Sequence, residues 1–309
     1  MIQSKDIQTT ASACSSSSWL SASGPLTISM TNDYLFRALL QRNNHVLKGL
    51  ICSLLNLSFS DVKSVIINNP IILGESINEK TFLLDISLTL NNKALINLEM
   101  QVINEHNWPE RSLSYLCRTF DNLNSGETYQ SVKPAIQISL LDFTLFPSHP
   151  EFYSTYQFLN VKNHTLYSDK LRLSVLNLTR IDLATAEDIA CGLDHWASLF
   201  KASTWEELKM LAKQDDFINE ASATIYQLSQ EETIRLQCQA REDYYRRQRS
   251  IQSMLKEQDE KIKSYENTLK ARDNTITQMA SEITSLQKQL ASALEQLASL
   301  QESDNNIIE

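Results

Sequence analysis

Residues 82–101 alternate apolar and polar side chains with a period of two on both sides of a short polar break, which commits them to a β-hairpin. In the first arm Phe82, Leu84, Ile86, Leu88 and Leu90 share one face, while Leu83, Asp85, Ser87 and Thr89 share the other. In the second arm Ile96, Leu98 and Met100 lie on the apolar face and Asn97, Glu99 and Gln101 on the polar one. If Asn91-Asn92-Lys93 form the loop, Leu90 pairs with Ala94 and Asp85 comes to lie opposite Glu99. A two-residue turn would shift the register by one and separate the two acids onto opposite faces. The alternation favours the three-residue loop.

Two carboxylates opposed across a sheet repel each other unless a positive charge lies between them. A hard divalent cation such as Mg²⁺ accepts carboxylate and amide oxygens together with water, so a metal is one solution. Two solvated acids on the open face of an antiparallel sheet are the other, and spacing leaves both open. Aspartate is disfavoured inside strands, which argues for a reason behind Asp85.

The rest of the chain narrows the class. With 309 residues and 42% hydrophobic content there is ample material for a core. No apolar run approaches the ~18 residues of a spanning helix, so no membrane partner is expected. Residues 1–25, with Ser15 to Ser18, are expected to be a disordered tail and not a secretory signal. Cys14, Cys52, Cys117, Cys191 and Cys238 stand far apart, without CxxC spacing, which fits free thiols in a reducing cytoplasm. No HxxxH pair or glycine-rich phosphate loop is present. The net charge of −9 argues against a strong non-specific DNA footprint, without excluding DNA bound through local basic patches and a metal.

Thr31-Asn32-Asp33 can cap a helix running through Tyr34, Leu35, Phe36, Ala38, Leu39 and Leu40. A second helix is expected over 45–55 and a strand at Val65-Ile66-Ile67. After the hairpin, Trp108-Pro109-Glu110 opens a helix through Leu113, Leu116, Phe120 and Leu123 that stops at Gly126. Strands are expected over 135–143, 156–161 and 171–178, followed by helical sequence over 181–239. This is an α/β layout, a mixed sheet flanked by helices. From there Leu255, Ile262, Leu269, Ile276, Ile283, Leu290 and Leu297 recur every seventh residue, with Ile251, Gln258, Tyr265, Arg272, Met279, Leu286, Ala293 and Leu300 between them. No Pro or Gly interrupts the segment, so it reads as a coiled coil that needs a partner, of two strands or more. The expected division is a tail over 1–25, a core over 26–180, a helical extension over 181–245, a coiled coil over 246–302 and a tail over 303–309.

Asn32-Asp33-Tyr34-Leu35-Phe36-Arg37, Leu84-Asp85-Ile86, Asn97-Leu98-Glu99-Met100-Gln101, Arg111…Tyr115 and Gly126-Glu127-Thr128-Tyr129 occur in an order and spacing that resembles the recombination-promoting nuclease (Rpn), or transposase-like, family of the PD-(D/E)XK nuclease superfamily. The resemblance runs from about residue 30 to 245 and leaves the heptads outside. It implies a restriction-endonuclease-like core and a metal-dependent endodeoxyribonuclease acting on DNA. It further implies that Asp85 and Glu99 bind Mg²⁺, with Mn²⁺ or Ca²⁺ as substitutes. Where the superfamily places a lysine two residues after the glutamate this chain has Gln101, and Leu84 replaces the proline before Asp85. A glutamine cannot accept a proton, so Gln101 is left to orient a water or touch the phosphate while the metal activates it.

Asp33 is the candidate third acid, with an N-cap aspartate as the plain reading; Glu75 and Glu79 are lesser alternatives. Arg111 and Tyr115, four apart, share a helix face and read either as a phosphate clamp over the site or as a solvated arginine beside a half-buried tyrosine. Arg241, Arg246, Arg247 and Arg249 surround Tyr244-Tyr245, but Glu231, Glu232, Glu242 and Asp243 make an ordinary charged helix face the expectation there. The expected function is a cytoplasmic, Mg²⁺-dependent homo-oligomeric endonuclease. The alternative is a nuclease-like fold that no longer cuts and serves as an oligomeric scaffold.

Overall fold

The computed structural model describes residues 19–71, 73 and 85–305, with side-chain surroundings up to 297. The expected strand residues Phe82, Leu83 and Leu84, the alternative acids Glu75 and Glu79, and the tail segments 1–18 and 306–309 lie outside the described residues. The chain divides into two units, the first ending at Arg246 and the second beginning at Arg247.

The first unit is built on a six-stranded mixed sheet in the order β1-β2-β3-β4-β6-β5. The strands are β1 (Val65–Ile67), β2 (Ile86–Leu90), β3 (Ala94–Gln101), β4 (Ala135–Leu141), β5 (Tyr153–Tyr156) and β6 (Leu171–Asn177). The hairpin has the expected register, from Ile86 opposite Leu98 to Leu90 opposite Ala94. Asn91 and Asn92 take φ of 51° and 57°, a left-handed conformation that asparagine tolerates better than most residues. Beyond β3 the sheet becomes parallel: Asn97 faces Gln137 and Glu99 faces Ser139 on β4, and β4 pairs parallel with β6.

Helices cover both faces. The apolar side of β2 and β3 packs with α1 (Asp33–Arg42), α2 (Asn44–Leu55), α5 (Leu193–Lys201) and α7 (Asp216–Gln230) in one continuous core that also takes in Trp196, Leu228 and Ile234. The remaining short helices are α4 (Ala186–Ala190) and α6 (Trp205–Ala212). The segment expected as a helical extension therefore shares the core of the sheet and belongs to the same unit. On the opposite face α3 (Trp108–Phe120) lays Trp108 and Leu116 against Ala135, Leu141, Leu173 and Val175.

Several expectations are corrected. Residues 19–25 are anchored and not a free tail, though much of the segment is exposed: Trp19 is buried, the Gly24 amide donates to the Glu206 carboxylate, and Pro25 bridges to Thr204. An aromatic in an otherwise polar tail finds its place in a core it cannot signal locally. Helix α3 stops at Phe120, because Asp121 leaves helical geometry before Leu123 is reached. The strand expected over 156–161 is displaced to β5, since register with β6 sets Tyr153 opposite Leu176 and Tyr156 opposite Leu173. Helix α8 (Glu232–Asn305) carries the heptads in the second unit and runs into the expected terminal tail. Each of Leu255, Ile262, Leu269, Ile276, Ile283, Leu290 and Leu297 is more than half exposed in the single chain. No described helix is long and apolar enough to cross a membrane.

Candidate metal centre

Strand β3 is central, and that decides the environment of Glu99. Alternation puts Asn97, Glu99 and Gln101 on one face, but α3 lies over that face, so Asn97 and Glu99 are each only 5% exposed. The reading of two solvated acids on an open sheet is therefore excluded for Glu99. An ionised carboxylate in such a place requires compensation. Arg111, one turn into α3, donates through Nη2 to Glu99 Oε1 at 2.6 Å, and its Nη1 lies 3.7 Å from Glu105 Oε2. Burial nevertheless pushes the Glu99 carboxyl up to about 7; the Arg111 guanidinium pulls it down, while the charges of Asp85, Asp33 and Glu105 add to the rise. The other oxygen, Oε2, is buried with no partner among the described residues.

Asp85 immediately precedes β2, at the register position facing Glu99 but one residue before the ladder begins. Its Oδ1 is likewise buried without a partner among the described residues. Burial raises its carboxyl above the ordinary aspartate range, against the opposing pull of Arg37. Gln137 Nε2 and Ser139 Oγ, on the strand adjoining Glu99, are also buried and unpartnered among the described residues. Buried polar atoms are normally satisfied, so this concentration of unmet donors and acceptors around two acids is a place where further polar partners, such as water, fit. Carboxylate oxygens are the donor type that hard divalent cations accept, so Asp85 and Glu99 are the residues that could hold one. The described residues contain no group of three or more His, Cys, Asp or Glu that could hold a metal by themselves.

Asp33 reaches the same region differently. The helix cap is Asn32, whose side chain accepts from the Tyr34 and Leu35 amides; Asp33 is the first helical residue and not the cap. Both Asp33 oxygens are engaged by Arg241 of α8, through Nε at 2.8 Å and through Nη2. Arg241 is itself 8% exposed and lies over the rings of Tyr244 and Tyr245 at 4.7 and 5.1 Å. The expected charged face is thus corrected at this residue: one side of α8 is buried through Ile234, Cys238, Arg241 and Tyr245. Their recurring three- and four-residue spacing was the available signal, masked by the acidic neighbours.

Gln101, at the end of β3, donates its amide to the Ile103 carbonyl at 3.0 Å. Tyr115 lies beneath Arg111, whose Cζ is 5.5 Å from its ring and 5.5 Å from that of Trp108. Asp33, Asp85, Glu99 and Arg111 are thereby gathered around the C-terminal part of β3, with Gln101 two residues along the same face. Sequence reasoning missed the parts played by Arg37 and Arg241, and by Asn97, whose amide donates to Gln137 Oε1 at 3.0 Å. Asp33 and Arg37, four apart on α1, share a helix face, which was a usable hint.

A family model described as PD-(D/E)XK nuclease family transposase matches residues 30–254. No curated protein and no solved structure matches the chain.

Proposed function

Because the chain belongs to the PD-(D/E)XK nuclease family transposases, we propose that it is a divalent-metal-dependent endonuclease hydrolysing DNA phosphodiesters, with Asp85 and Glu99 as its metal ligands. The observation that carries this reading is a pair of buried carboxylate oxygens without partners among the described residues, Asp85 Oδ1 and Glu99 Oε2, on two acids close enough for the charge of one to raise the carboxyl of the other. A bound Mg²⁺ supplies a lowered pKa for attacking water and charge neutralisation at the phosphate. The protein's own contribution is placement. Arg111 holds Glu99 by one oxygen so that the other points away from it. Arg111 and Tyr115, on the partly exposed flank of α3, are suited to receive a phosphate of the substrate. Asp33, held by Arg241, adds negative charge beside Glu99 as the third acid. Gln101 has no basic atom, so it orients and does not accept a proton.

The α8 stripe supports a homo-oligomer through a coiled coil, a form suited to paired strand breaks. Cys52, Cys117, Cys191 and Cys238 are free, which suits a reducing cytoplasm. Purified protein with supercoiled plasmid should nick and linearise DNA with Mg²⁺ and not with EDTA, and Glu99→Ala should abolish cleavage while remaining folded. Undiminished cleavage by that variant rejects the assignment. One observation favours the second reading, a non-cutting scaffold: the Gln101 amide is tied to the Ile103 carbonyl instead of a lysine reaching the site. That reading predicts no change in melting temperature with Mg²⁺ or Mn²⁺, and wild-type behaviour for Asp85→Asn.

A further inference from the structure

Strand pairing does not explain where Asp85 sits. The β2–β3 ladder begins at Ile86 opposite Leu98; β1 is paired with β2 from Leu88 to Leu90, with one further backbone bond from the Asn68 amide to the Ser87 carbonyl at 2.8 Å. A side-chain clamp takes over at this point. The Asp85 carbonyl accepts from Arg37 Nη1 and from Asn69 Nδ2, the latter at 3.0 Å. The other nitrogen of the Arg37 fork, Nη2, donates to the Asn69 carbonyl. Asn69 Oδ1 in turn accepts from the Ser87 amide at 2.9 Å, so its carboxamide bridges Asp85 and Ser87 as a neighbouring strand would. Arg37 is 1% exposed and projects from α1, whose packing in the core gives the clamp a rigid base. A planar guanidinium can bridge two carbonyls at once, which an ammonium cannot do in the same geometry.

We propose that Arg37 and Asn69 are positioning residues for Asp85, holding its peptide where the sheet ladder has ended and so setting the separation of the two metal-ligating carboxylates. The proposal rests on the reading of Asp85 and Glu99 as a metal pair. Partners that orient metal ligands typically alter affinity by ~10–100-fold when removed. The clamp acts through the backbone of Asp85, so its loss weakens metal binding while leaving the chemistry at saturating metal largely intact.

The test is calorimetric titration of the full-length protein with Mn²⁺, without DNA, alongside melting curves and cleavage at saturating Mn²⁺. Asn69→Ala and the charge-conserving Arg37→Lys should each bind Mn²⁺ roughly tenfold more weakly or worse. Cleavage should return to near the wild-type rate once the metal is saturating. Asn68→Ala is the control: Asn68 bonds Ser87 Oγ and Thr89 Oγ1 but not Asp85, so Mn²⁺ affinity should be unchanged. Wild-type Mn²⁺ affinity in Asn69→Ala overturns the clamp, and that variant decides the matter if Arg37→Lys fails to fold. Absence of Mn²⁺ binding in the wild-type protein overturns the metal reading itself, an outcome distinct from equal binding by wild type and variants.

Discussion

Replacing Glu99 by Gln is expected to stabilise the protein above neutral pH while removing its response to metal. The Glu99 carboxyl sits at about 7 in the fold against 4.5 for an unperturbed glutamate, with burial as the main cause. Between those values the folded state retains a proton that the unfolded chain has released. The contribution of Glu99 to stability therefore falls as pH rises from about 4.5 to about 7. Each pKa unit corresponds to ~1.4 kcal/mol, so by pH 8 ionised Glu99 costs the metal-free fold about 3 kcal/mol. Gln keeps the shape and an acceptor for Arg111 but never ionises. Arg111 loses a charge partner, which offsets part of the gain; its side chain is 27% exposed and Glu105 remains at 3.7 Å, so the offset is partial. A net gain of about 1–3 kcal/mol at pH 8 remains, or roughly 2–12 °C in melting temperature for a unit of this size. The gain should shrink towards zero by about pH 5. Trp19, Trp108, Trp196 and Trp205 are all buried and all precede Arg247, so tryptophan fluorescence in EDTA reports this unit and not the distal part of α8. A variant less stable than wild type at pH 8, or a difference that does not change between pH 5 and 8, refutes the reasoning.

The buried Asp33–Arg241 pair should behave as a unit. Arg241→Met alone should cost about 3–5 kcal/mol by stranding the acid, while Asp33→Asn with Arg241→Met should cost clearly less than the two singles combined; strict additivity in urea unfolding would count against the pair. Gly49→Ala should destabilise despite a helix-propensity gain of ~1 kcal/mol, because the new Cβ would lie 2.6 Å from Phe217 Cδ1; a raised melting temperature would show that the ring can retreat. Ile276→Lys with Ile283→Lys should reduce association measured by sedimentation while leaving the tryptophan-detected melting temperature unchanged, and undiminished association would remove the stripe as the interface.

What was legible in advance follows from periodicity. Alternation on either side of Asn91-Asn92-Lys93 was enough for the hairpin register, because one residue of slippage would have turned every apolar side chain to the wrong face. Thr31-Asn32-Asp33 and Pro109 marked helix starts through unmet backbone donors, though the cap proved to be Asn32, and the seven-residue spacing marked the α8 stripe. The position of β5 was not legible, since Tyr153–Tyr156 is selected by pairing with β6 and the apolar residues that follow it are no worse as a strand.

The candidate site divides along the same line. Local alternation put Asp85 and Glu99 on one face of one hairpin in sequence terms, but the ladder begins only at Ile86, and Arg37 and Asn69 hold the Asp85 peptide beyond it. Burial of that face came only from tertiary structure: β3 pairs with β4 on its far side and α3 closes over Glu99. The arginines likewise come from elsewhere in the fold, Arg241 reaching Asp33 across 208 residues of chain and Arg37 clamping Asp85 across 48. Periodicity records which side of its own element a residue occupies. It carries no record of what a distant element lays against that side, and that decides whether a carboxylate is a solvated charge or a buried one.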